Sequence, residues 1–154
     1  PLYRRPPAEG PELRELREQE SRRIPERYEP GPAAQVQCVG AMNCATGLMG
    51  KSTMIWVRRR PGATRLAVTL HRLEQTPSLY PLPVEISIPS PSGGTRKSVI
   101  VPAAGPETHR FLLDLPADLP PGAVLDVTLR PERAVSAPRL LAPRSLFVAG
   151  LEQE

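Results

Sequence analysis

Residues 123–130, Ala123-Val124-Leu125-Asp126-Val127-Thr128-Leu129-Arg130, decide the fold class. Leu125, Val127 and Leu129 fall on one side of an extended chain, with Asp126 and Thr128 on the other. Side chains of a strand point alternately to its two faces, so this is a strand with one dry face and one wet face. The same alternation recurs at Leu66, Val68 and Leu70, and again at Val84, Ile86 and Ile88. Less regular β-type runs lie at Ala34–Cys38, Thr53–Arg58, Lys97–Val101, Thr108–Leu113 and Ser145–Leu151. Strong turn formers separate them: Arg60-Pro61-Gly62, Pro89 to Gly94, Gly105-Pro106 and Pro120-Pro121-Gly122. Roughly eight short strands with regular turns predict an all-β, antiparallel β-sandwich of jelly-roll-like form.

Composition supports this and removes other classes. Proline occurs 21 times in 154 residues, well above the usual share of about 5%. Each proline removes a backbone donor and breaks helix interiors, which excludes a helical bundle. Apolar residues make up 40% of the chain, too many for a wholly disordered polymer. No apolar run approaches the roughly 20 residues of a membrane span, so no transmembrane segment is expected. The chain starts at Pro1 rather than methionine, which reads as a processed or partial chain.

Residues 1–34 have a different character and are read as a proline-rich arm. Pro6-Pro7, Pro11, Pro25, Pro30 and Pro32 punctuate it. One short helix is expected between Pro11 and Ile24, with Glu12 and Glu15 at its positive end and Arg22 and Arg23 at its negative end. Residues 35–154 are then the β-sandwich domain. The arm's first 30 residues hold seven arginines and seven glutamates, so the net charge of +4 belongs to the remainder. That excess is modest, and after residue 30 only Trp56, Tyr80, Phe111 and Phe147 are aromatic. Nucleic-acid binders combine dense basic charge with stacking rings, so no nucleic acid is expected as a partner.

Few motifs suggest chemistry. Ala45-Thr46-Gly47-Leu48-Met49-Gly50-Lys51-Ser52-Thr53 approximates a phosphate loop, but that device needs a helix after it. Here Met54-Ile55-Trp56-Val57 follows, a strand-forming run. Cys38 and Cys44 lie among Met42, Met49 and Met54. They read as buried thiols, as a small disulfide loop, or as soft ligands for a metal such as copper. Neither forms a paired zinc motif, and no metal centre or cofactor is assigned. His71 and His109 read as surface residues, and no carboxylate pair has diagnostic spacing, so the chain is not expected to be an enzyme. Arg58-Arg59-Arg60 ahead of the Pro61-Gly62 turn reads as a basic surface, charge that also protects sheet edges.

The succession of segments from Cys38 to Glu152 resembles the galactose-binding-like accessory β-sandwich of bacterial glycosyltransferases and envelope-related proteins. The likeness rests on Gly47–Val57, Pro61–Leu70, Phe111–Pro116, Leu125–Pro131 and Leu146–Leu151. It implies a jelly-roll module that binds carbohydrate or packs on a protein partner in an envelope or periplasmic setting. Sugars stack on aromatic rings in such modules, which nominates Trp56 and Tyr80 as ligand-binding residues. The expected function is a non-catalytic binding or interaction module. Its alternative is a structural subunit of a larger assembly, membrane-associated or not, docked through the N-terminal arm.

Overall fold

The three alternating runs become the structural centre. In the computed structural model, which describes residues 24–135 and 144–154, eight antiparallel strands form: β1 Cys38–Met42, β2 Leu48–Arg58, β3 Arg65–Arg72, β4 Leu82–Ile88, β5 Thr95–Val101, β6 Thr108–Asp114, β7 Val124–Pro131 and β8 Leu146–Gln153. Leu66, Val68 and Leu70 of β3 are buried, as are Val84, Ile86 and Ile88 of β4 and Leu125, Val127 and Leu129 of β7. Each such side chain contributes roughly 1.5–3 kcal/mol through the apolar area it removes from water. Several prolines sit where a missing donor costs least, after β2 (Pro61), β5 (Pro102) and β6 (Pro116) and at the last position of β7 (Pro131), while Pro83 is the second residue of β4.

The strands form one continuous sheet in the order β5-β4-β7-β2-β8-β3-β6, with β1 beside β2. The sheet folds back on itself through β2, whose eleven residues serve both halves. Thr53 to Arg58 pair with β7, while Leu48 and Met49 pair with β8. At its far ends the sheet is nearly closed, and Lys97 Nζ of β5 donates to the Leu112 carbonyl of β6 at 2.6 Å. Tyr28 bridges Leu151 on β8 with both backbone hydrogen bonds at 3.0 Å. Counting the Tyr28 segment as the strand beside β8, the interleaved order is that of a jelly roll.

One departure from period-two patterning has a local cause. Leu146 and Val148 are buried, and so are Leu151 and Gln153, which changes the inward phase within β8. Thr69 lies opposite Gly150 and Leu70 opposite Val148, leaving Ala149 unpaired. This β-bulge inserts one residue and returns the strand to the core in the other phase.

One sequence expectation is corrected. The first strand was expected at Ala34–Cys38, but Pro32–Gln37 is a 3-10 turn and the strand begins at Cys38. Pro32 presets a helical backbone angle, and Ala34 and Gln37, three apart, face inward together. Residues ahead of position 35 also make contacts with the domain. Tyr28 and Ala34 belong to the core, and Arg58 takes the Pro25 carbonyl on its backbone N–H at 2.8 Å. The helix expected between Pro11 and Ile24 lies, apart from Ile24, outside the described residues.

Candidate functional site

Strand register assembles a site that single-strand patterns do not show. His71 on β3 lies opposite Thr108 on β6 and opposite Phe147 on β8, and Phe147 lies opposite Leu48 on β2. Directly opposed residues share a face, so Thr108, His71, Phe147 and Leu48 form one row across four strands. Beside this row is a cleft of about 530 Å³, bounded also by Leu73, Glu74, Gln75, Thr76, Glu107, Val135 and Arg144. Leu48, Leu73 and Phe147 supply an apolar floor. His71, Glu107, Gln75, Thr76 and Arg144 supply donors and acceptors around it.

The imidazole is held on both sides. His71 Nδ1 is 2.8 Å from Thr108 Oγ1, and Nε2 is 3.4 Å from the Glu107 carboxylate. The Phe147 ring packs at 6.2 Å from it, tilted by 58°. Arg72 serves the site indirectly, donating to the carbonyls of Pro102 at 3.0 Å and Gly105 at 3.2 Å. Those bonds fix the loop that carries Glu107.

The residues nominated from sequence are distributed differently. Tyr80 is buried, its hydroxyl donating to the Ser145 carbonyl and accepting from the Leu73 N–H at 2.8 Å. A ring so enclosed presents no external stacking surface and acts as an internal brace. Trp56 is half-buried on the outward phase of β2, opposite Asp126 on β7. It is not among the residues lining the cleft. Cys38 and Cys44 are joined as a disulfide with Cα atoms 5.8 Å apart, tying β1 to the loop after it. Lys51 of the phosphate-loop-like string is exposed within β2, and that strand continues to Arg58 with no helix following.

The basic triplet lies at the opposite end of β2. Arg58 donates to the carbonyls of Ile24 at 3.2 Å and Gly122 at 2.8 Å. The Arg59 guanidinium donates to the carbonyls of Pro116, Leu119 and Ala63. These arginines hold turns in place through charge-assisted hydrogen bonds, so only Arg60 of the three is exposed. Among the described residues no group of three or more His, Cys, Asp or Glu side chains is placed to hold a metal. No helix among them is long and apolar enough to cross a membrane.

Sequence reading assigned Tyr28 to the arm and missed its role. Its side chain is buried and its hydroxyl donates to the Cys44 carbonyl at 2.9 Å. Burial pushes the Tyr28 hydroxyl up to about 12 from its ordinary 10.0. Because folding raises this pKa, the fold prefers the protonated phenol. Its contribution is whole below pH 10.0 and disappears as the pH rises toward about 12. Over that window the protein is expected to lose about 2–3 kcal/mol of stability through this group. Denaturant titrations across the window check it: Tyr28→Phe, which cannot ionise, is expected to show a shallower decline than the parent. Equal slopes would remove Tyr28 from the alkaline transition.

No protein-family model, curated protein or solved structure matches the chain.

Proposed function

We propose that the chain is a non-catalytic binding module that accepts a neutral, hydroxyl-rich ligand, a glycan, in the cleft beside His71. The observation supporting this reading is the row of Thr108, His71, Phe147 and Leu48, which sets apolar surface beside polar groups. A sugar ring needs that combination, with an apolar C–H face to pack and hydroxyls to satisfy at its rim. The volume suits a small ligand, since such sites typically span about 300–1,000 Å³. His71 is engaged by Thr108 and Glu107, which fixes its ring at the edge of the cleft. The disulfide supports an oxidising, extracytoplasmic setting, where such bonds persist.

Calorimetric titration with a panel of neutral oligosaccharides tests the proposal. Phe147→Ala is expected to weaken binding by about tenfold, the equivalent of one lost ring contact. An absence of heat across the panel, or unaltered affinity in Phe147→Ala, would overturn it. An accessory subunit that docks on protein is the second reading. Val36 and Val39 favour it, at 59% and 51% exposure.

A further inference from the structure

We infer that residues 11–23 of this chain dock on the outer face of β2, along Met54, Trp56 and Arg58, and shield the Trp56 ring. Ile55 and Val57 are fully buried, so strand alternation turns those three side chains to the opposite, outer face. All three are half-buried there. Register sets Val39 of β1 and Thr128 of β7 beside Met54, and Asp126 of β7 beside Trp56. The stripe is therefore apolar from Val39 through Met54 to Trp56, and cationic at Arg58.

The path of the chain selects the occupant. Ile24 is the first described residue, and its carbonyl accepts from Arg58 Nε at 3.2 Å. The residues upstream of Ile24 therefore start at one end of the stripe. They are tethered to the domain, which gives them a high effective concentration at that face. An unmet hydrogen bond at the same place is the second, independent observation. Arg58 donates through Nε to Ile24 and through Nη1 to Gly122, but Nη2 is buried and has no acceptor among the described residues. A buried cationic N–H without an acceptor is costly, so this atom calls for an oxygen, best that of a carboxylate.

The upstream sequence carries both parts of the complement. On the helix expected between Pro11 and Ile24, Leu13, Leu16 and Glu20 fall on one face, being three and then four residues apart. Glu20 comes one helical turn before Ile24, within reach of Arg58. The two leucines lie farther upstream, toward Trp56 and Met54. The lengths agree, since Leu13 to Ile24 rises about 16 Å as a helix and Met54 to Arg58 spans about 14 Å of strand. So short a helix is marginal alone in water, and burial of its leucine face on the stripe is what stabilises it.

Trp56 is the only tryptophan of the 154 residues, so acrylamide quenching of its fluorescence in the full chain reads this face alone. The expected result is weak quenching that does not vary with protein concentration. The double variant Leu13→Asp, Leu16→Asp is expected to raise the quenching constant about twofold, as the docked–undocked equilibrium moves to the open state. Glu20→Gln keeps the side chain's size and should move quenching the same way by less. Leu2→Asp, outside the segment, is the control and should match the parent, with circular dichroism confirming the same strand content in every variant. Unaltered quenching in the double variant overturns the inference, as does an equal rise in Leu2→Asp. So does shielding that appears only at high protein concentration, which would put a second copy on the face. A ring freely quenched in the parent overturns it too, leaving the face to a separate partner.

Discussion

Gln153→Leu is expected to lower the unfolding free energy by about 3 kcal/mol. The side chain is buried near the end of β8, and its amide satisfies three backbone groups. Nε2 donates to the carbonyls of Glu26 at 2.6 Å and Arg58 at 2.7 Å, and Oε1 accepts from the Arg60 N–H at 2.8 Å. Leucine has a similar volume but leaves those groups without partners, and each unsatisfied buried group costs about 1–3 kcal/mol. Gln153→Glu is expected to be nearly as damaging, since a carboxylate cannot donate to two carbonyls. Gln37, which spans the Arg27 and Trp56 carbonyls, makes the same kind of link with two bonds, so Gln37→Leu should cost less. Urea unfolding with an unaltered m-value is the measurement. A cost for Gln153→Leu below about 1 kcal/mol would show that water replaces these bonds.

A comparably large loss, at least about 3 kcal/mol, is expected for Gly47→Ala. Gly47 has φ of +84°, and an added Cβ would stand 2.4 Å from the Val148 carbonyl oxygen. That approach is to backbone, so no side-chain rotation relieves it. The same carbonyl region is fixed from both directions, because Val148 N–H donates to the Gly47 carbonyl at 2.8 Å. Alanine must therefore separate the start of β2 from β8, the junction at which the sheet folds back. Gly62→Ala provides the comparison: φ is +77°, with nothing within 4 Å of the added carbon. Only backbone strain applies there, about 1 kcal/mol. Equal thermal midpoints for the two variants would reject the steric account of Gly47.

Both substitutions act where separated stretches of chain meet, and this marks the boundary of what the sequence reveals. Leu66, Val68 and Leu70, like Leu125, Val127 and Leu129, were legible as inward faces because alternation is a local property of an extended chain. The turns at Pro61-Gly62 and Pro120-Pro121-Gly122 were legible for the same reason. Arg58 and Arg59 were read as exposed charge because their carbonyl partners lie far along the chain, at Gly122, Pro116 and Leu119. Tyr80 was read as a binding ring because nothing local announces that Ser145 encloses it. Tyr28 stands among charged residues and prolines, and only pairing with Leu151 places it in the core.

The sequence by itself therefore determined the class of object: an antiparallel β domain with a core of alternating aliphatic side chains and proline-marked strand ends. Tertiary structure alone decided the strand order, the cleft beside His71 and the entry of residues 24–37 into the domain. The physical reason is range. Alternation and turn chemistry act over a few residues, whereas the row from Thr108 through His71 and Phe147 to Leu48 exists only when register aligns four strands. Register is set by the whole core at once, so a residue's partners across the sheet are a property of the fold and not of its neighbours in the chain.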